Sequence, residues 1–241
     1  MLYSLTRLLL APLVRMVYRP VVRGRSNVPR RGPVIFASNH LSFVDSIVIA
    51  LLAPRPVHFL AKDTYFTGPG LQGTLTRCFF AAFGSVPVDR SGHRSAQAAL
   101  GAAERILAGG HAFGIYPEGT RSLDGRLYRG RTGVAWLALA TGAPVVPVAL
   151  TGTDRLQPVG RRLPRYHRIT LEFGSPLHYA ALHEGVRPAH ARRAVTDEII
   201  RAIGELSGQE RCQTYATVPT ERTASVCSLT KEDWSSMPAA D

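Results

Sequence analysis

Short apolar runs of the strand type alternate with longer helical segments along most of this 241-residue chain. Such alternation predicts an α/β fold with a mostly parallel central sheet flanked by helices. Strands are expected over residues 21–27, 34–38, 57–61, 86–88, 112–116, 145–150 and 169–173. Helices are expected over residues 45–53, 68–83, 95–107, 132–140 and 189–206. The length fits one domain of ordinary size, which we place at residues 21–207.

Residues 1–20, which precede this domain, predict a helix with one apolar side and one basic side. Arg7, Arg15 and Arg19 share a face at helical spacing, and Leu, Val, Met and Tyr fill much of the rest. The arginines make the segment too polar to span a bilayer, which takes roughly 20 apolar residues. We expect it to lie in a membrane interface, with the arginines toward lipid phosphates. The alternative is a helix that packs on its own domain; Pro12 weakens or divides the helix in either case.

The last part of the chain, residues 208–241, differs in composition from the domain before it. It is rich in Ser, Thr, Pro and charged residues and has few large apolar ones. Such a segment cannot bury enough apolar surface to offset the entropy of ordering. We therefore predict a disordered polar tail.

The chain is strongly basic, with 29 Lys and Arg against 17 Asp and Glu and a net charge of +12. This balance indicates an anionic partner: nucleic acid, a membrane surface or a phosphorylated substrate. A compositional bias of the genome explains the excess of Arg equally well. We find no recognisable nucleic-acid module and predict no nucleic-acid partner. The three cysteines show neither metal-ligand spacing nor a paired framework, which indicates a reducing compartment.

Two ionisable residues, His40 and Asp45, lie between apolar runs at 33–37 and 47–52. Burial of such groups is costly unless they pair or have a function. If the strand ends near His40 and the helix begins near Asp45, the carboxylate can reach one imidazole nitrogen and leave the other as a base. The alternative is structural, with Asp45 as a helix cap and His40 as a turn residue.

Further charged and small residues follow the other predicted strands. In a parallel sheet these strand ends lie on one side, where open α/β sheets bind their ligands. Cations and a turn with free backbone N–H groups could hold a phosphate there. A surface ion pair at 89–90 and a solvated turn at 118–122 are the alternatives. The candidates for substrate binding are Lys62, Arg90, Glu118, Gly119, Thr120 and Arg121.

Four blocks of this sequence, in this order, resemble those of the glycerolipid acyltransferases, particularly the 1-acylglycerol-3-phosphate acyltransferases. They are NHLSFVD at 39–45, which has the His-x4-Asp pattern of that family, GSVPVDR at 84–90, YPEGTRS at 116–122 and VPVAL at 146–150. The resemblance covers about residues 21–206. Tyr116 stands where many members have Phe, and Arg131 begins a variant of a Lys-x-Gly pattern.

The resemblance implies a role for each of these residues. His40 would be the general base and Asp45 the residue that orients it. Arg90 and the turn Gly119–Arg121 would bind the acceptor phosphate, assisted by Glu118. Lys62 falls where many members carry a Lys, and Pro147 would lie on the donor side or shape its strand. No metal, bound cofactor or covalent acyl-enzyme is implied.

The implied reaction is transfer of a fatty acyl group from acyl-CoA or acyl carrier protein to the free hydroxyl of 1-acylglycerol-3-phosphate. Its product would be phosphatidic acid for phospholipid synthesis, made at the cytoplasmic face of the membrane by a peripheral or monotopic enzyme. The family also includes enzymes for other acceptors, such as a lysophospholipid or an ornithine lipid. A non-catalytic basic protein that binds membranes or nucleic acid is the alternative from another class.

Overall fold

A computed structural model describes residues 2–88, 95–161, 163–179 and 188–217 of the chain. Its strands are β1 (Val21–Arg23), β2 (Val34–Ser38), β3 (Val57–Lys62), β4 (Ser85–Val88), β5 (Ala112–Ile115), β6 (Val145–Thr151) and β7 (Thr170–Phe173). Its helices are α1 (Leu2–Tyr18), α2 (Asp45–Leu52), α3 (Thr64–Thr67), α4 (Gly70–Ala82), α5 (Ser95–Ala108), α6 (Gly133–Thr141), α7 (Thr153–Leu156) and α8 (Pro188–Ser207).

The seven strands form one sheet in the order β1-β7-β6-β2-β5-β3-β4. Neighbouring strands run parallel except for β6 and β7, which are antiparallel. The predicted α/β fold with a mostly parallel sheet is therefore confirmed. Because β2 lies between β5 and β6, the carboxyl ends of three strands meet near its last residue.

Both faces of the sheet are covered, which explains why the central strands are apolar throughout. Side chains alternate between the faces, so Phe36 joins the core beneath α1 and α2, whereas Ile35 joins the core beneath α5, α6 and α8. Every residue of β2 is buried. The same holds for β6 up to its final Thr151.

The predicted strand at 21–27 is too long. The structure ends β1 at Arg23 and forms a 3-10 helix over Arg25–Asn27. Gly24 between them has φ 65°, and a side chain there would collide with the carbonyl oxygen of Phe173. The close approach of β7 therefore requires a turn at a glycine, which the run of apolar letters did not indicate.

Helix α1 is continuous from Leu2 to Tyr18 despite Pro12 in its interior. One side packs on the domain: the Tyr3 hydroxyl lies 2.9 Å from the backbone N of Val57, and the Arg7 guanidinium donates to the carbonyl of Ala53. Arg7 was expected to face lipid, but burial in this contact lowers its pKa. No helix in the described ranges is long and apolar enough to cross a membrane.

The predicted disordered tail begins too early. Residues 208–217 follow α8 and pair with the segment around Leu127, where Arg211 forms a parallel bridge. The side chain of Ala216 is buried as well. Few of these residues are apolar, so composition did not reveal that backbone hydrogen bonds hold them. Residues 218–241 lie outside the described ranges.

Candidate active site

His40 follows the end of β2, and Asp45 is the first residue of α2. Imidazole Nδ1 lies 2.9 Å from Oδ2 of Asp45. When Nδ1–H donates to the carboxylate, the other nitrogen, Nε2, keeps a lone pair that can accept a proton. The His40 side chain is 18% exposed and that of Asp45 is fully buried. The imidazole is thus open to a ligand, whereas the carboxylate that orients it is not.

The same oxygen of Asp45 also shapes the loop between the two residues. Oδ2 accepts hydrogen bonds from the backbone N of Leu41 at 2.7 Å and of Ser42 at 2.8 Å. These donors precede α2, so Asp45 is not the cap of its helix that the structural alternative required. Hydrogen bonds of this kind offset the cost of removing a carboxylate from water.

Tyr116, which directly follows β5, stacks on one face of the His40 imidazole. Its ring lies parallel to that of His40, with centroids 3.8 Å apart. Its hydroxyl is 2.7 Å from Oγ of Ser46, in the first turn of α2. Burial, and then the negative charge of Asp45, raises the pKa of Tyr116 well above its ordinary value. The phenol is therefore neutral, and its ring restricts the tilt of the imidazole.

Glu118 is fully buried, and both oxygens of its carboxylate accept hydrogen bonds from the backbone. One oxygen accepts from the backbone N of His40 at 3.2 Å, and the other from that of Tyr128 at 2.9 Å. Burial raises its pKa to about 7, although both hydrogen bonds act in the opposite direction. Glu118 was predicted to bind substrate, and that role stays a prediction. In the structure its carboxylate joins the backbone of His40 to that of Tyr128.

Two more contacts join the loop of His40 to its surroundings. Asn39 is buried, and its side-chain amide exchanges hydrogen bonds with the backbone N and O of Leu150 on β6, at 2.8 and 2.9 Å. The carbonyl of His40 accepts from the backbone N of Ser122 at 2.8 Å. The backbone around His40 is thus bonded both to β6 and to the turn after β5.

The other predicted residues lie at the same edge of the sheet, with one exception. Gly119, Thr120 and Arg121 form the turn after β5, next to β2, and Lys62 ends β3 on the far side of β5. Arg121 and Lys62 are exposed, and neither side chain contacts another residue that the structure describes closely enough for an ion pair. Arg90 lies outside the described ranges.

The Gly119 turn favours glycine through its backbone conformation, and the Arg131 side chain lies close to it. Its φ is 80°, a conformation that L side chains rarely adopt, and a Cβ would come within 2.8 Å of Nε of Arg131. Arg131 therefore packs directly on this turn and adds a cation beside Arg121. Among the described residues, no three His, Cys, Asp or Glu side chains are grouped so that they could hold a metal ion.

A family model described as Acyltransferase matches residues 19–151 of the chain. The chain belongs to the acyltransferase family. All the contacts of His40 described above with β2, α2 and the turn after β5 lie within the matched residues. The resemblance seen in the four sequence blocks is thereby confirmed at the level of the family.

Relatives of this chain come from plants and bacteria. The chloroplastic 1-acyl-sn-glycerol-3-phosphate acyltransferase of Brassica napus is 33% identical over 144 residues, which are 59% of this chain and 40% of that protein. An enzyme of the same name from Borreliella burgdorferi is 31% identical over 134 residues, 56% of this chain and 52% of that protein. The chain therefore spans about half the length of these curated relatives or less.

A solved structure resembles this chain over a larger share of its length. The 1-acyl-sn-glycerophosphate acyltransferase of Thermotoga maritima superposes with a TM-score of 0.60 at 26% identity. The match covers 83% of this chain and 80% of that one. It extends well beyond the residues that the family model covers, so the sheet and most of its helices share one architecture.

Sequence reasoning missed three contributors to this site. Tyr116 was seen only as a departure from the family pattern, and Ser46 and Gln209 were not considered. The Nδ2 of Asn39 donates to Oε1 of Gln209 at 2.7 Å, a contact between residues 170 positions apart. A polar residue with no motif around it gives no signal of such a contact in a single sequence.

Proposed function

We propose that this chain transfers a fatty acyl group from an acyl thioester to the free hydroxyl of 1-acylglycerol-3-phosphate, which gives phosphatidic acid. The donor would be acyl-CoA or acyl carrier protein. One observation carries the proposal: the His40–Asp45 pair, with one imidazole nitrogen free, lies beside a cationic turn. The relatives named as 1-acyl-sn-glycerol-3-phosphate acyltransferases support the choice of acceptor.

The acceptor phosphate is assigned to the turn after β5. Arg121 is exposed two residues after Gly119, and the exposed Arg131 packs near that glycine. Each can donate two hydrogen bonds to a phosphate. Lys62 adds a positive charge from β3. Arg90 is proposed as a further ligand on the strength of the sequence resemblance.

The reaction follows from the free nitrogen of His40. Nε2 removes the proton of the acceptor hydroxyl as that oxygen attacks the thioester carbonyl, and a new C–O bond forms. The tetrahedral intermediate then collapses, the C–S bond breaks, and the proton passes from His40 to the leaving sulfur. Asp45 stabilises the imidazolium that exists between these steps. The proposed route needs no metal, bound cofactor or acyl-enzyme.

The surface of the domain supports a membrane as the source of the acceptor. Leu8, Leu9 and Met16 of α1 are 71%, 62% and 69% exposed, and Leu71 and Leu75 of the adjoining α4 are 77% and 62% exposed. Apolar patches of this kind are typical of membrane contact. We propose that the enzyme sits peripherally on the cytoplasmic face of the membrane.

A second contact links this apolar surface to the base. Phe80 of α4 packs edge-on against Phe43, with ring centroids 6.4 Å apart. Phe43 is 43% exposed and lies in the loop between His40 and Asp45. The acyl chain of the donor would therefore meet apolar side chains, Phe80 and Phe43, between α4 and the loop of His40.

A panel assay tests this function. Purified full-length protein is given labelled acyl-CoA or acyl carrier protein with lysophosphatidic acid, lysophosphatidylcholine or an ornithine lysolipid in mixed micelles. We expect lysophosphatidic acid to be the preferred acceptor. His40→Ala should reduce kcat/KM by roughly a thousandfold, because general-base catalysis contributes about 10²–10⁴-fold. His190→Ala, which changes an exposed histidine of α8, should leave the rate unchanged.

Each other outcome has a definite meaning. Preference for another lysolipid would replace the proposed acceptor while retaining the acyltransferase chemistry. Full activity of a correctly folded His40→Ala protein would remove the proposed base. Vesicle binding with no transfer to any acceptor would favour the non-catalytic alternative. Circular dichroism and thermal unfolding establish that each variant is folded.

A further inference from the structure

Residues 209–216, which we call the C-terminal strap, run along the loop that follows Gly119–Arg121. We call Gly119–Arg121 the phosphate turn, after its proposed ligand. The backbone N of Leu127 donates to the carbonyl of Glu210, and that of Cys212 donates to the carbonyl of Leu127, both at 2.8 Å. The backbone N of Arg129 donates to the carbonyl of Thr214 at 3.0 Å. The strap is thus bonded at three points to residues 127–129.

A glycine at the end of α8 directs the chain into this path. Gly208 has φ 67°, and its N donates to the carbonyl of Gly204 at 2.9 Å, which is the usual glycine ending of a helix. Gly204 itself faces Arg211, whose Cδ would lie 3.1 Å from a Cβ at that position. The return of the strap over α8 is therefore specified by the sequence around the helix end.

The side chain of Gln209 connects two parts of the site. Its Oε1 accepts from Nδ2 of Asn39 at 2.7 Å, and its Nε2 donates to the carbonyl of Gly125 at 2.6 Å. Asn39 precedes the base in the chain and is itself bonded to β6. Gly125 lies in the loop that continues from the turn of Arg121. The Gln209 side chain therefore connects Asn39, next to His40, with the loop that follows the phosphate turn.

Tyr215 makes a second connection near the end of the strap. The guanidinium carbons of Arg129 and Arg131 lie 5.2 and 5.6 Å from its ring centroid. Its hydroxyl accepts from Nη1 of Arg193 on α8 at 3.4 Å. Because Arg131 packs on the Gly119 turn, the strap reaches the phosphate turn through this residue as well.

We infer that the C-terminal strap is a positioning element for the acceptor site, in which Gln209 fixes the loop of residues 119–129 relative to His40. This rests on the proposed function for its kinetic consequence but not for its structural one. Gln209 contacts Asn39 and Gly125 and would act through them, without touching the acceptor. Its loss should loosen the loop and weaken binding of the phosphorylated acceptor, while His40, Asp45 and the acyl donor are unaffected.

The test compares three full-length variants by hydrogen exchange and steady-state kinetics. Gln209→Ala removes both hydrogen bonds. Gln209→Glu keeps an acceptor for Asn39 but loses the donor to Gly125. Gln213→Ala changes an exposed glutamine of the same strap that makes no side-chain hydrogen bond among the described residues, and it is the matched control.

We expect amides of residues 119–129 to exchange at least about threefold faster in both Gln209 variants, since local opening becomes easier when a hydrogen bond is lost. The KM for lysophosphatidic acid should rise by about three- to thirtyfold, with kcat and the KM of the acyl donor within twofold of wild type. The Gln213→Ala protein should match wild type in every measurement.

The two proposals fail in different ways. If no acceptor is acylated by wild type, the proposed function is wrong, and hydrogen exchange alone decides whether Gln209 holds the loop. If exchange in residues 119–129 is the same in Gln209→Ala and Gln213→Ala, the positioning role is wrong. Equal changes in acceptor KM, donor KM and kcat would also overturn it, because they indicate general destabilisation.

Discussion

At the residue scale, each charged group near His40 has a different environment, which favours a different role for each. Asp45 is buried and bonded to the imidazole, Glu118 is buried and bonded to backbone, and Arg121 is exposed with no such partner in the described chain. Burial and bonding favour a fixed orienting role, whereas an exposed cation is available to a ligand. These differences lead to two predictions.

The first concerns Arg121→Ala. Loss of charged hydrogen bonds to a phosphate costs about 1.5–3 kcal/mol, so we expect KM for a phosphorylated acceptor to rise by about ten- to a hundredfold. Thermal stability should not change, since the side chain is exposed. Arg31→Ala, at an exposed arginine before β2, is the control in the same kinetic assay. An unchanged KM in Arg121→Ala would show that the phosphate binds elsewhere.

The second concerns Glu118→Gln and pH. Folding raises the pKa of Glu118 from 4.5 to about 7, so the native state binds a proton that the unfolded state has released between these values. Stability from this group is present below pH 4.5 and is lost as pH rises through 7. The Gln variant lacks this titration. Its melting temperature relative to wild type should therefore increase from pH 5 to pH 8.

Thermal unfolding of both proteins at pH 5 and pH 8 measures this difference in melting temperature. The other titrating groups are the same in the two proteins, so their effects cancel. The absolute stability of Glu118→Gln should be lower at pH 5, because its single amide oxygen can serve only one of the two backbone donors. A gap in melting temperature that is the same at pH 5 and pH 8 would contradict the raised pKa.

The sequence predicted His40 and Asp45 as a pair because their contact is local, five positions apart at a strand-to-helix turn. It did not predict that Tyr116 stacks on His40. That contact depends on β5 lying beside β2, a pairing that no short-range pattern contains. It also did not predict the backbone contacts of Glu118, because the residues next to a carboxylate in sequence do not reveal whether its oxygens already have donors.

At the scale of elements, α1 was predicted either to lie in a membrane interface or to pack on its own domain, and the two interpretations are partly compatible. Its packing on the domain was the alternative, and Tyr3, Arg7 and Ala11 do pack there. The opposite side of the same helix remains apolar and exposed, so membrane contact stays a prediction. Because the helix is part of the folded domain, deletion would damage the core, and substitutions are the better test.

We predict that the triple variant Leu8→Gln, Leu9→Gln, Met16→Gln binds vesicles containing anionic lipid at least about tenfold more weakly. Burial of one such side chain contributes about 1.5–3 kcal/mol, and all three are mostly exposed in the protein. Leu163→Gln, at an apolar residue that is 79% exposed and lies outside α1 and α4, is the control. Vesicle sedimentation measures binding, and an unaltered triple variant would exclude α1 as the contact.

The strap shows the limit of composition as a guide to order. Residues 208–217 contain few apolar side chains, yet they are held by backbone hydrogen bonds to 127–129 and by one glutamine. Hydrophobic periodicity cannot detect an element that is stabilised in this way. Its partner segment lies about eighty positions earlier and has no strand pattern of its own.

At the scale of the whole molecule, alternation of strands and helices was enough to predict the class of fold but not the order of strands. The order places β2 between β5 and β6. The chain runs from β2 to β3 on one side of β2, and from β6 to β7 on the other side. This is where open α/β sheets form a crevice. The motif at 39–45 and the motif at 116–122 meet there because of topology, and neither predicts the other's position.

The anchoring of Tyr3 has a consequence for how the molecule would stand on a bilayer. Its hydroxyl is bonded to both the backbone N and O of Val57, at the first residue of β3. A helix fixed to the sheet in this way does not move independently of the domain. Immersion of its apolar side would set the height and tilt of His40 above the lipid plane, so that folding itself determines how far a lysolipid must rise to be acylated.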